Sequence, residues 1–357
     1  MLIMELTPEQ QSVIQGILSS IKTKNIVTMG GLAGTGKTTC IKVLNKFLKN
    51  WAVCAYTGKA ANVLRKKGLD SSTIHSLIYK PDMDGAGNVK KDKNGSPIFI
   101  LNPDFDAEGI LVDEASMVNK EIYQDLLSFN KPIIFVGDHG QLEPIGSDIN
   151  LMANPDYKLE QIHRNAGPIA HFAEFVRKGY RPAAYQHGGK QVQFIDKRYS
   201  DPHFNQVNQI ICGFNRSRVD INKEVRKTAG YPDNFPVIGE KIMCLRNNKQ
   251  LGLFNGMQGT VEHLFSKPKN KMTFFSDGIG YDVLFDPHAF NMERQPQNYG
   301  RDDPLPFEFC YAVTCHKAQG DEWDKVLVIE QQCKSWDFRR WAYTAASRAK
   351  QSLIWAV

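Results

Sequence analysis

The sequence predicts an α/β protein of two parallel-sheet domains, the first with a small hairpin insert and the second with a small all-β insert. Three observations predict it. Short apolar runs alternate with helix-compatible stretches in both halves of the chain, which is the pattern of strands joined by crossover helices. Two stretches, 80–107 and 247–304, break that rhythm with turn residues around short β-like pieces. The length, 357 residues, is long for one domain and comfortable for two. The expected division is 1–155 for the first domain, 156–246 with 305–357 for the second, and 247–304 for its insert.

The elements follow in order. Residues 25–30 (NIVTMG) form an apolar run ending in glycine, followed by a helix-compatible stretch from Lys37 to Lys49. Ala52 to Tyr56 is β-rich, Lys59 to Lys67 helical, and Ile110 to Val112 and Pro132 to Val136 continue the strands. The stretch 80–107 is rich in Gly, Asn, Asp and Pro and reads as an inserted hairpin or loop. A structureless loop of that length is unusual inside a compact domain, so a functional insert is expected. After residue 160 the candidate strands are Gln209 to Phe214, Lys241 to Leu245, Phe309 to Val313, Lys325 to Ile329 and Leu353 to Ala356. Turn residues at Asn255-Gly256, Gly259, Asp277-Gly278 and Gly280 mark 247–304 as a small all-β, barrel-like insert.

Hydrophobic residues make up 42% and charged residues 23%, the composition of an ordinary globular protein rather than a disordered or membrane one. The net charge of +6 is compatible with a polyanionic partner without requiring one. Between Lys241 and Phe275 there are six Lys/Arg against one Glu, which reads as a solvated face or as a groove for a phosphate backbone. The cysteines are scattered, with no pattern of paired C-x-x-C, as expected of reduced buried thiols. With no signal segment and no apolar run of membrane-spanning length, a soluble, cytoplasmic protein with no membrane partner is expected.

Chemistry enters at Gly31-Leu-Ala-Gly34-Thr35-Gly36-Lys37-Thr38, which fits G-x-x-x-x-G-K-[ST]. Glycines let backbone N–H groups turn inward around phosphate oxygens, and the following helix offers its positive end to the same anion. Lys37 is expected on the β/γ-phosphates of ATP, with Thr38 on Mg²⁺ and Thr39 beside it in the same helical turn. Ile110-Leu-Val-Asp113-Glu114 supplies the partner: an apolar strand delivers Asp113 to the metal, and Glu114 orients or deprotonates the attacking water. Gln10 precedes the first strand. Its local setting is that of a surface residue in a helix capped by Thr7, and the functional alternative is an amide reading adenine.

Further segments carry a resemblance. Gly137-Asp138-His139-Gly-Gln141-Leu142, Leu159-Glu-Gln-Ile-His-Arg164, Thr314-Cys-His316-Lys-Ala-Gln319-Gly320-Asp-Glu322 and Tyr343-Thr-Ala-Ala-Ser-Arg348-Ala resemble elements of superfamily 1 helicases. Ala55-Tyr-Thr57-Gly-Lys59 and Ser72-Thr73-Ile-His75 resemble that family's two DNA-contacting elements in the first half. The order is right from Gln10 to Arg348, and the T-x-H pair with the barrel-like insert is most similar to the RecD/Dda branch, superfamily 1B.

The resemblance implies two RecA-like domains, an SH3-like second insert, and an ATP- and Mg²⁺-dependent DNA helicase working 5′ to 3′ in DNA replication, repair or recombination. It gives Gln141 a γ-phosphate-sensing role, makes Arg164 and Arg348 arginine fingers, and sets Gln10, Gln319, Gly320 and Glu322 about the nucleotide. It assigns Thr57, Lys59, Thr73, His75, His139, Thr314 and His316 to the DNA strand, where backbone contacts suit a motor that must grip every sequence. The insert at 80–107 stands where this branch carries a strand-separating pin, with Phe99 and Phe105 as stacking candidates or as packing of the hairpin on its own domain. Implied partners are single-stranded and fork DNA, with a single-strand-binding or replication/repair protein as a further candidate, for a motor working as a monomer. Tyr56 departs from the proline common in relatives, the second insert is short, and the chain reads as a bare motor. Alternatives are a translocase that strips proteins without unwinding, an ATP-gated nucleic-acid-binding switch and, more remotely, a small-molecule kinase. RNA in place of DNA is also left open.

Overall fold

The computed structural model describes residues 6–85, 87, 89–90, 98–143, 149–161, 167–199, 201–232, 235–248, 251–276, 278–294 and 303–357. The chain divides into two compact units, with the main break between His171 and Phe172.

The first unit runs α1 (Pro8–Ser20), β1 (Ile26–Gly31), α2 (Lys37–Phe47), β2 (Trp51–Ala55), α3 (Gly58–Lys66), β3 (Ser71–Thr73), α4 (Ile74–Ile78), β4 (Tyr79–Pro81), β5 (Phe99–Leu101), β6 (Gly109–Asp113), α5 (Lys120–Ser128), β7 (Ile133–Gly137) and β8 (Tyr157–Leu159). Helix α6 (Gly167–Arg177) spans the break. Strand order is β3-β2-β6-β7-β1-β8, and every pairing is parallel. Alternation along β2 shows why. Val53 and Ala55 enter a core shared with α1, α2 and α3, while Cys54 enters the opposite core with α4 and α5. A strand apolar on both faces is stable only between two helical layers. Helix starts are fixed by side chains: Thr7 and Gln10 form a reciprocal capping box on α1, and Thr57, Thr73 and Asn119 cap α3, α4 and α5.

The expected hairpin insert is present as antiparallel β4 and β5, with Pro81 opposite Phe99 and a further bridge between Met83 and Val89. Ile98, Phe99, Ile100 and Leu101 are all exposed, on both faces of β5.

The second unit holds β9 (Val192–Ile195), β10 (Gln209–Cys212), α7 (Asn215–Thr228), β11 (Lys241–Cys244), β12 (Gln258–Leu264), β13 (Lys271–Ser276), β14 (Ile279–Asp286), β15 (Leu305–Phe309), β16 (Ala312–Thr314), β17 (Trp323–Ile329), α8 (Phe338–Ala346) and β18 (Ala349–Ala356). Strands β16-β10-β17-β18-β9 form a second parallel sheet. Strands β11 to β15 close into a barrel around Phe274, Phe285, Phe307 and Phe309.

The barrel corrects two sequence expectations. Lys241–Cys244 and Phe309 were read as strands of the α/β alternation, yet both are barrel staves: Ile242 pairs with Phe309 and with Gly259. Their burial is that of a core strand in either setting, so local pattern could not tell a sheet from a barrel. The alternation resumes only at β16.

Buried ion pairs fasten the barrel to α7. Arg226 lies 2.5 Å from Glu240, and Arg218 lies 2.6 Å from Glu308, with all four side chains nearly inaccessible. Six of the seven cysteines are buried. Among the described residues, no helix is long and apolar enough to cross a membrane.

Candidate functional site

The C-terminal edge of the first sheet gathers most of the predicted residues, because parallel strands all end on one side. Neighbouring strands deliver neighbouring groups: Gly30 pairs with Gly137, Ile110 with Ile133, and Ala55 with both Asp113 and Thr73. The phosphate loop therefore stands beside the segment after β7, and Asp113 stands on the next strand over.

The loop itself leaves β1 and opens α2. Gly34 and Gly36 take φ of 79° and 83°, and Gly36 caps α2 with backbone alone. A Cβ on Gly31 would come within 2.7 Å of Lys37 Cγ and 2.9 Å of Thr35 Oγ1, so any side chain there would displace Lys37 and Thr35. Buried Thr35 donates to Leu32 O (2.8 Å). Lys37 Nζ lies over the loop's own carbonyls, at 2.7 Å from Gly31 O and 3.2 Å from Leu32 O. Thr38 and Thr39 are half-buried in the first turn of α2.

Asp138, named in the sequence pattern without a role, organises this edge. Its carboxylate, fully buried, lies 3.4 Å from Lys37 Nζ, accepts from Gln141 Nε2 at 3.3 Å and is fixed by the Gly140 N–H at 2.9 Å. Burial raises the Asp113 carboxyl above the ordinary carboxylate range, against the opposing pull of the Glu114 N–H and the Lys37 charge. Glu114 adopts φ 56°, ψ 40°, a left-handed conformation that costs a non-glycine residue energy and recurs at functional positions. Gln10 is buried. Its amide accepts from Thr7 N and donates to Thr35 O (3.0 Å), so it is a tether between α1 and the loop rather than the surface residue its local setting suggested.

The groups expected on DNA from the first unit lie on the β2 and β3 ends of the same edge. The hydroxyl oxygens of Thr57 and Thr73 accept from Ala60 N and Ser76 N (both 3.1 Å) as helix caps, and Lys59 is half-buried in the first turn of α3. His75 is exposed between two rings, 6.5 Å from Tyr56 and 5.7 Å from Tyr79, a row that no local sequence signal marks. Tyr79 in turn donates its hydroxyl to Asp125. His139 is half-buried on the same edge, its Nδ1 2.9 Å from where a Cβ on Gly30 would sit. Phe105 is 4.8 Å from Phe129 against the domain core, which decides its alternative for packing, whereas Phe99 is 44% exposed.

In the second unit, Thr314 ends β16 and is buried, and His316 follows half-buried, its imidazole held below the ordinary pKa by burial and so neutral. Gln319 is buried, Gly320 takes φ 79°, and Glu322 lies 3.7 Å from Lys350. Arg348 is buried. Its Nε donates to Thr344 O (3.0 Å), Nη1 to Asp321 O (3.1 Å) and Nη2 to Ser347 Oγ (2.8 Å). Arg164 lies outside the described residues.

A phosphate loop with its lysine and its strand-end carboxylates on a parallel sheet, followed by a second parallel sheet, defines a P-loop protein of the two-sheet kind. Residues 5–196 match the family described as AAA domain, and residues 309–355 match the UvrD-like helicase C-terminal domain. The chain belongs to this AAA-domain family, within the superfamily 1B helicases. It is 25% identical to the ATP-dependent RecD2 DNA helicase of Deinococcus radiodurans, over 97% of this chain and 48% of that one. It is 27% identical to the ATP-dependent DNA helicase dda of Enterobacteria phage T4, over 67% of this chain and 61% of that one. The chain thus spans between about half and three-fifths of the length of these two relatives. A Pif1 helicase solved in work on unwinding at forked dsDNA shares the fold, with a TM-score of 0.63 at 19% identity over 99% of this chain and 92% of that one.

Proposed function

We propose that the chain is an ATP-dependent DNA helicase that moves 5′ to 3′ on single-stranded DNA and opens duplex. The observation that carries this reading is the connected cradle of Gly31, Lys37, Asp138 and Gln141, in a chain whose relatives are named ATP-dependent DNA helicases. The cradle fits a triphosphate, since Gly31 leaves room for Lys37 to lie over the loop, and the lysine is drawn onto carbonyls that a phosphate would replace as its partner. Lys37 binds the β/γ-phosphates, Gln141 senses the γ-phosphate, and Gln10 braces the loop from behind. The Thr38 hydroxyl and the Asp113 carboxylate are hard oxygen donors suited to Mg²⁺, which when bound neutralises phosphate charge. Glu114 orients the attacking water, and Arg348 supplies a cation to the transferring phosphoryl group. Gln319, Gly320 and Glu322 line the nucleotide site. Thr57, Lys59, Thr73, His75, Thr314 and His316 hold the DNA backbone, and Tyr56 and Tyr79 flank His75 as stacking surfaces.

The test is ATP turnover with and without single-stranded DNA or RNA, followed by strand separation on forks with a 5′ or a 3′ tail. DNA-stimulated turnover with opening of the 5′-tailed fork is expected. Stimulated turnover without strand separation would make the protein a translocase. Slow turnover indifferent to DNA would make it a nucleotide switch.

A further inference from the structure

The barrel touches the motor sheet at a place the nucleotide chemistry depends on. The segment from Thr314 to Glu322 joins β16 to β17, and the barrel holds it from two staves. Glu308 on β15, itself paired with Arg218, lies 2.6 Å from Lys317 Nζ. Gln258, the first residue of β12, donates its side-chain amide to Asp321 Oδ2 at 3.2 Å. Asp321 is 4% exposed, and a carboxylate so buried must be hydrogen-bonded to be tolerated. Its main-chain carbonyl accepts from Arg348 Nη1 at 3.1 Å, and the Trp323 N–H, two residues on, donates to Arg348 O at 2.9 Å. One residue therefore separates a barrel side chain from the Arg348 guanidinium. Gln258 is fixed from the barrel side too, since its carbonyl accepts from Ser276 Oγ at 2.6 Å.

We propose that Gln258 is a positioning residue: through Asp321, the barrel sets the Arg348 guanidinium for hydrolysis. This rests on the reading of Arg348 as the cation of the hydrolytic step. The buried Arg226–Glu240 and Arg218–Glu308 pairs keep barrel and α7 together, so Gln258 is held on a rigid support.

The experiment measures DNA-stimulated kcat, KM for ATP, the ssDNA dissociation constant and the melting temperature in five variants. Gln258→Leu is expected to lower kcat about tenfold while KM, ssDNA affinity and melting stay within roughly twofold or a few degrees of the parent. Asp321→Ala should match it. Asp321→Asn keeps a carbonyl oxygen for the Gln258 amide and should restore kcat to within about threefold. With Arg348→Ala already in place, Gln258→Leu should cost nothing more. Losses that multiply in the double variant, or a fall in KM, affinity and melting together with kcat, would overturn the relay. Full turnover in Arg348→Ala would instead remove the underlying reading of Arg348. Arg348→Ala impaired with Gln258→Leu at full turnover would sink the relay alone.

Discussion

At the scale of residues, Asp138 decides how the phosphate loop is held. Lys37 at 3.4 Å and Gln141 at 3.3 Å share its carboxylate, which is sealed from water. A charge-assisted contact in such a setting is stronger than at a surface, and its loss leaves partners misplaced. Asp138→Ala is expected to cut ATP turnover by on the order of tenfold to a hundredfold, with a smaller effect on nucleotide affinity. Steady-state turnover beside equilibrium binding of a fluorescent ATP analogue checks it, and unchanged turnover would reduce Asp138 to a loop brace. That Lys37 and Thr38 open α2 and that Asp113 ends β6 with Glu114 after it was legible in the sequence, because a glycine-rich turn and an apolar strand end mark those positions locally. The burial of Gln10 against Thr35 and the meeting of Tyr56 with His75 were not, since each joins residues about twenty positions apart that meet only once the chain has folded.

At the scale of elements, the β4–β5 hairpin and the edge strand β8 carry separate predictions. Exposed apolar residues running from Ile98 to Leu101 on a short hairpin form a patch of the kind that marks a contact surface. If Phe99 stacks at the fork, Phe99→Ala should leave ssDNA-stimulated turnover within roughly twofold and lower fork opening about tenfold. Strand displacement at matched turnover measures this, and equal opening by both proteins would remove the hairpin from strand separation. Strand β8 is fastened by Asp156, which accepts from Thr28 N and Thr28 Oγ1, both at 2.9 Å, and pairs with Lys24 at 3.0 Å. Partial burial alone would raise that carboxyl, but these partners outweigh it and hold it below the ordinary range. A depressed carboxyl stabilises the fold above its unfolded pKa and loses that contribution as pH falls through the folded value. Asp156→Ala should therefore cost about 1 kcal/mol at neutral pH, with the gap to the parent closing below pH of about 4. Denaturant melts across pH test it, and a gap independent of pH would assign the loss to packing.

At the scale of the whole molecule, the sequence by itself determined the α/β class, the hairpin, the presence of an all-β insert and the phosphate-loop pattern on which the proposed nucleotide chemistry rests. Those are written in local periods and in spacings that a phosphate or a crossover helix imposes on consecutive residues. Tertiary structure alone decided where the barrel begins and ends, because Lys241–Cys244 and Leu305–Phe309 are as apolar as sheet strands and differ only in their partners. It also decided that His139 belongs beside Gly30, that Phe105 faces the core, and that Gln258 of the barrel reaches Asp321 beneath Arg348. Such contacts join residues from 24 to more than a hundred positions apart, and no local pattern encodes them, because they exist only once the strands have chosen their neighbours.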